Sequence, residues 1–481
     1  MAVQSLKDKT VKGTFWSALD SIANYAIGFI ISIVLARLLA PDDYGLIGIV
    51  AIFTSICNTI INAGFSNALI RKTDASDDDY NTVFIINLGL SILLYFLLFF
   101  TAPLIAKFFQ RTELVDLIRV ATLTMIIGAL ALVQQTRLTQ RIDFKTQTKI
   151  SLISHINSGV IGILMALYGY GVWALVGQSI SSQGLKTVLL WFYNKWQPKF
   201  QFSYNSFRSL WGFGSKLLAS NIIDSVWREV YKVVIGKCYS PSILGQYTRA
   251  TQFSEIFSVN LTTVIQRVTY PVLSEIQDEN ERLKIAYRKI IKVTMLVTFS
   301  CMLMLAAIAK PMIIILIGEK WLMAASILQI ICFQGMLYPL HALNLNMLQV
   351  QGRSDLFLKL EIIKKCAAVI PLLIGVFGGL FPMLISSILI SFFSYYLNAH
   401  YSGPLLGYST IEQIKDWMPD FLIALVASFA AFGISLVHIS PYVILPLQLI
   451  TGFLIILVLC SLFKLEEYYE IKNIITHYIR R

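Results

Sequence analysis

The chain has 481 residues, 56% of them hydrophobic and 14% charged, with a formal net charge of +12. One soluble core cannot hide that much apolar surface, so lipid must cover the rest, which excludes a soluble globular enzyme and points to an all-α polytopic membrane protein. In a soluble chain the excess base would suggest nucleic acid as a partner; here the placement of the cations makes it an orientation signal and leaves nucleic acid out.

About fourteen apolar runs are long enough to span as transmembrane helices, each needing roughly 20 residues. In chain order they are 14–39, 44–65, 82–106, 114–133, 150–168, 172–193, 210–236, 254–273, 290–317, 322–348, 360–377, 380–397, 421–437 and 443–463. The first lacks a short core followed by a small-residue cleavage site and reads as a retained span. With the N-terminus in the cytoplasm, the inner segments hold roughly 26 Lys and Arg against about 8 outside, a strong positive-inside bias. Lys7, Lys9, Lys12, Arg137, Arg141, Lys145, Lys149, Arg282, Lys284, Arg288, Lys289, Arg480 and Arg481 carry much of it. An even span count then places both termini in the cytoplasm. Trp173 and Trp321 fall at outer boundaries and Trp191, Trp196, Trp211 and Trp417 at inner ones, as headgroup-level rings should.

One motif recurs. Arg37-Leu-Leu-Ala-Pro41-Asp-Asp-Tyr-Gly45 joins the first two runs, and Lys237-Cys-Tyr-Ser-Pro241-Ser-Ile-Leu-Gly245 stands 200 residues later. About six runs separate the copies, an even number, so the repeats are parallel and related by an axis along the membrane normal. Two such halves leave a cavity between them, an organisation of transporters more than of enzymes. The expected division is a six-helix lobe over 1–205, a second over 206–402, and two additional helices with a cytoplasmic tail over 403–481.

Charges inside a span are costly and mark function by default. The seventh run holds most of them. Lys216, Asp224, Arg228 and Lys232 lie at multiples of four along one slowly drifting stripe, with Ser220 and Asn221 nearby and Glu229 about 100° around from Arg228. An Asp224–Arg228 pair at i, i+4 would neutralise part of it. The eighth run adds Glu255 and Arg267, preceded by Arg249, and the first adds Asn24 and Arg37. At the repeat offset Asn24 matches Asp224 and Arg37 matches Lys237. A cavity richer in cations than acids suits an anion, and guanidinium and ammonium donors suit phosphate oxygens. The expected substrate-binding set is therefore Lys216, Arg228, Lys232, Arg249, Arg267, Asn24, Asn221 and Arg37, with Asp224, Glu229 and Glu255 as candidate ion-coupling carboxylates. Arg37, Arg249 and Arg267, near span ends, would alternatively snorkel to headgroups. Pro103, Pro311, Pro339, Pro371 and Pro446 lie in or at the ends of spans and mark sites where helices bend.

No catalytic residue, metal site or cofactor is expected. Six cysteines lie scattered in or beside apolar runs, five histidines are dispersed, and neither Walker loop nor dinucleotide fingerprint occurs. Asp77-Asp78-Asp79 has the spacing of a metal-binding transferase motif. In a short loop, however, those acids read better as the N-terminus of the following helix.

Five stretches, in order, carry a family resemblance: Gly64-Phe-Ser-Asn-Ala-Leu-Ile-Arg71; Gly171-Val-Trp-Ala-Leu-Val176; Ile235-Gly-Lys237 followed by Leu244-Gly-Gln-Tyr-Thr-Arg-Ala250; Tyr270-Pro-Val-Leu-Ser-Glu-Ile-Gln277; and Ile317-Gly-Glu-Lys-Trp321. The chain resembles the polysaccharide-exporter branch of the multidrug/oligosaccharidyl-lipid/polysaccharide flippase superfamily, of the colanic-acid and teichuronic-acid exporter type. The resemblance implies two six-helix lobes plus two C-terminal helices. It also implies translocation of a polyprenyl-diphosphate-linked oligosaccharide by alternating access across the bacterial inner (cytoplasmic) membrane, for O-antigen, capsule or exopolysaccharide synthesis. Polysaccharide polymerase and chain-length regulator are the implied protein partners, beside membrane lipid. An Asp-Asn pair commonly precedes the Ile-Gly-Arg element in that family; Tyr231 and Lys232 stand there instead.

Two rivals are weighed against this reading. An organic-cation efflux antiporter on the same fold would want an acid-rich cavity with aromatic walls. A membrane polysaccharide polymerase or ligase would want a large external loop, and none here exceeds roughly 20 residues. Outward movement of each negative charge against an inside-negative potential gains about 2.3 kcal/mol per 100 mV, enough to drive a dianionic headgroup without ATP.

Overall fold

A computed structural model of the chain describes residues 23–62, 68–70, 72, 75–437 and 439–479. Lys7, Lys9, Lys12, Gly64, Arg71, His438, Arg480 and Arg481 lie outside them. Each of the fourteen apolar runs falls on a helix or a locally broken one. We number them α1 (Ala23–Leu38), α2 (Pro41–Asn62), α3 (Asp77–Phe109), α4 (Leu114–Gln140), α5 (Phe144–Leu167), α6 (Trp173–Asn194) and α7 (Tyr204–Cys238). There follow α8 (241–275, with a π-helical turn at Ile256–Asn260), α9 (Asn280–Leu316), α10 (Glu319–Val350), α11 (354–377), α12 (Leu380–Leu406), α13 (Thr410–Ile434) and α14 (Pro441–Leu462). A shorter helix, α15 (Glu466–Ile479), ends the described chain. Among the described residues there is no strand, and nine helices, α2–α5, α9, α10 and α12–α14, are long and apolar enough to cross a membrane.

Local chemistry sets the ends. Ser76 caps α3 by accepting from the Asp79 amide, and Asp79 reaches back to Ser76 while pairing with Lys72 at 2.7 Å. Asp77-Asp78-Asp79 is thus a helix start, as the loop context predicts. Ser409 and Glu412 form the same reciprocal cap on α13. Pro339 and Pro371 lie just beyond breaks within α10 and α11, whereas Pro103, Pro311 and Pro446 sit inside continuous helices.

The chain folds as two compact units, one running to Gly245 and the other starting at Gln246. Unit 1 holds α1–α7 and the first turn of α8, and within it α7 packs on α2 and α3. Here the repeated motif closes on itself. Pro41 and Pro241 open α2 and α8, where a missing N–H costs nothing. A Cβ on Gly45 would lie 1.8 Å from the Pro241 carbonyl oxygen, and one on Gly245 would lie 1.9 Å from that of Pro41. Only glycine permits so close a backbone approach, so both copies keep it for the same reason.

Unit 2 packs α9 against α10, α13 and α14 around Met295, Phe299, Met302 and Leu328, all fully buried. Large apolar side chains face outward on both units, Phe96, Phe100 and Leu104 on α3 and Phe453, Leu454 and Val458 on α14. Such exposure is a liability in water and the expected surface in lipid. The tryptophans partly depart from expectation. Trp321 is fully buried, Trp417 is buried and donates to the Tyr395 hydroxyl, and Trp196 sits in a core with Phe84. Protein partners for these rings outcompete the headgroup layer.

Candidate functional site: a polar cavity in unit 1

Unit 1 encloses a cavity of about 1010 Å³. Its walls are built from helix periodicity. On α6, Gln178, Ser182 and Lys186 follow at i, i+4 and i+8, with Ser179 and Gln183 one position on, so all share a face. The side of α6 turned to α4 is pinned by side chains that bond to carbonyl oxygens: Thr187 donates to Ile127 (3.0 Å), Trp191 to Leu130 (2.9 Å) and Asn194 to Gln134 (3.0 Å). That ladder fixes the rotation of α6 and hence aims the polar face at the void. Gly128 on α4 keeps room for Gln183, whose Nε2 would lie 3.3 Å from an added Cβ.

Asn58, Thr59 and Asn62 of α2, Gln135 and Thr139 of α4, His155 and Ser158 of α5, and Asn221 of α7 add further polar groups, between apolar residues such as Ile61, Met125 and Leu132. Thr59 also donates to Ser225 on α7 at 3.0 Å, tying α2 to α7 at the cavity's edge. Amides and hydroxyls both donate and accept, as sugar hydroxyls do. Among the described lining residues Lys186 is the only lysine or arginine, and there is no aspartate or glutamate.

Among the described residues, Asn221 alone of the expected binding set lines this cavity. Arg228 lies seven residues further along α7, two turns on and on nearly the same face; it is exposed and has no ion pair among the described residues. Lys232 corrects the expectation of an unpaired cation: its Nζ lies 2.8 Å from Glu229, which is itself buried. The two form an i, i+3 ion pair on α7. Asp224 is exposed, Asn24 half-buried on α1, and Arg37 exposed at its end. Its repeat partner Lys237 donates to the Phe108 carbonyl at 2.5 Å. The Lys216 side chain lies outside the described part of α7.

Three expected residues belong to unit 2. Glu255 and Arg267 are exposed there. Arg249 neither snorkels nor opens to water: it is 5% exposed, donates to Gln252 at 2.6 Å and lies over the Trp321 ring at 5.8 Å. Burial and stacking make it a packing residue of that unit. No group of histidines, cysteines and acids fit to hold a metal occurs among the described residues.

Residues 34–326 match the family described as "Polysaccharide biosynthesis protein". The chain belongs to that family. It is similar to the teichuronic acid biosynthesis protein TuaB of Bacillus subtilis, 26% identical over 355 residues and 73% of each chain. It is also similar to the lipopolysaccharide biosynthesis protein WzxC of Escherichia coli, 24% identical over 442 residues, covering 89% of this chain and 88% of that one. Among solved structures, the lipid II flippase MurJ in an inward closed conformation superposes with a TM-score of 0.75 at 16% identity, covering 93% of this chain and 98% of that one. That likeness is one of fold, all-helical and polytopic as the five motif stretches imply.

What sequence reasoning missed in this polysaccharide biosynthesis protein is the α6 face. The run 172–193 reads as an ordinary span because its polar residues are mostly uncharged; Lys186, the one charge inside it, is passed over. The signal was the spacing of four that links Gln178, Ser182 and Lys186, echoed by Asn58 and Asn62.

Proposed function

We propose that this polysaccharide biosynthesis protein is a flippase, translocating a polyprenyl-diphosphate-linked oligosaccharide across the cytoplasmic membrane by alternating access. The unit 1 cavity carries the reading: a space of about 1010 Å³ whose described lining mixes amides and hydroxyls with apolar residues and holds a lysine and no carboxylate. Such a wall meets glycan hydroxyls without choosing one stereochemistry, while the isoprenoid tail stays in lipid. Lys186 and Arg228 are the cations we assign to the diphosphate. The positive-inside bias supports cytoplasmic termini, and a polymerase with its chain-length regulator would take the product outside. A carboxylate-free wall argues against organic-cation efflux, which would need acids or an aromatic cage.

The test is reconstitution. Purified protein in liposomes, with a polyprenyl-diphosphate oligosaccharide confined to one leaflet, should make the sugar accessible to a glycosidase on the opposite side. Protein that moves an organic cation and leaves the glycolipid in place would overturn the assignment.

A further inference from the structure

One buried acid of unit 2 is left without a cation. At one end of α9, Arg288 pairs with Asp416 on α13 (2.5 Å), Lys289 with Glu470 on α15 (2.5 Å) and Lys292 with Glu467 on α15 (3.4 Å). Tyr408 donates to Asp416 as well, at 2.7 Å. A fourth acid, Asp420 on α13, has no cation left. It is fully buried, and neither of its oxygens has a hydrogen-bond partner. Glu467, 3% exposed, is the acid that faces it, and its Oε2 likewise lacks a hydrogen bond. Lys292 of α9, Asp416 of α13 and Cys460 of α14 are the other titratable groups around them.

An ionised carboxylate fully buried without a donor is too costly to persist; it takes up a cation or a proton. Donors for a metal ion are few here, and the Lys292 ammonium already occupies the neighbourhood. We propose that Asp420 and Glu467 share one exchangeable proton, Asp420 donating to Glu467, which in turn accepts from Lys292. The proton then holds α15 against α13. Its loss at higher pH leaves two carboxylates facing one ammonium, and α15 separates from α13. This site is independent of the cargo.

Infrared difference spectroscopy of the full chain in lipid, recorded between acidic and alkaline pH, reads the proton directly. The expected result is one protonated-carboxyl carbonyl band that disappears as pH rises. It should be absent in Asp420→Asn and in Glu467→Gln, because either change leaves one carboxylate for Lys292. Cys460, fully buried beside both acids, supplies a second readout. In a variant keeping only that cysteine, maleimide labelling relative to the same variant carrying Asp420→Asn should rise by up to about tenfold per pH unit, the slope of a one-proton linkage. A native protein with no such band, a band that survives Asp420→Asn, or a labelling ratio independent of pH would each overturn the proposal. So would a ratio that responds to sodium at fixed pH, which would assign a metal cation instead. If Asp420→Asn fails to fold, the native band alone still decides.

Discussion

The two units treat buried polarity in opposite ways. In unit 1 the polar side chains of α2, α4, α6 and α7 surround a void and are mostly uncharged, while cohesion comes from close backbone approach, as between Gly45 and Pro241. In unit 2 a set of ion pairs, Arg288–Asp416, Lys289–Glu470 and Lys292–Glu467, joins α9 to α13 and α15, beside buried uncharged residues such as Asn344, Gln413 and Gln448. The density of ionisable residues is therefore a poor guide to where a cargo goes.

Five substitutions would break or sharpen this contrast. Gly45→Ala should be the most damaging, since a Cβ 1.8 Å from a backbone carbonyl forces the helices apart. A loss of about 3 kcal/mol or more, seen as a lowered Tm in detergent, is the expected cost of overpacking there. In unit 2, Arg288→Ala should cost about 2–3 kcal/mol by leaving Asp416, 7% exposed, without its cation. The reverse change, Asp416→Ala, should cost less, because Arg288 is half-exposed and rehydrates. Equal losses would show that the pair does not carry the packing.

The cavity should respond in transport and not in stability. Lys186→Ala is expected to slow glycolipid translocation about 10–100-fold, the worth of one charge-assisted contact, with stability unchanged within about 0.5 kcal/mol. Smallest is Gly184→Ala on α6, where an added Cβ meets nothing within 4 Å. Helix propensity alone then predicts a gain of about 0.5–1 kcal/mol, the opposite sign to Gly45→Ala.

The legible parts of the sequence were those with a period or a repeat. Fourteen apolar runs became helices because length and hydropathy determine what lipid will accept. The two Pro-Gly motifs met because the same local chemistry serves both copies. The individual site residues were not legible in this way. A stripe on α7 is visible in sequence, but whether Lys232 meets phosphate or Glu229 depends on rotamers and spacing that the stripe leaves open. The same holds for Trp321 and Arg249, each of which has a lipid-facing and a protein-facing solution; the stack between them is a tertiary choice.

The most direct test of the cavity's role compares the native protein with Lys186→Ala and with Arg249→Ala in the same liposome assay, each corrected for folded protein. The account predicts that Lys186→Ala loses at least about tenfold in glycolipid translocation per folded molecule while Arg249→Ala keeps the native rate. Translocation that survives Lys186→Ala and fails in Arg249→Ala would contradict it, and would move the cargo site out of the unit 1 cavity.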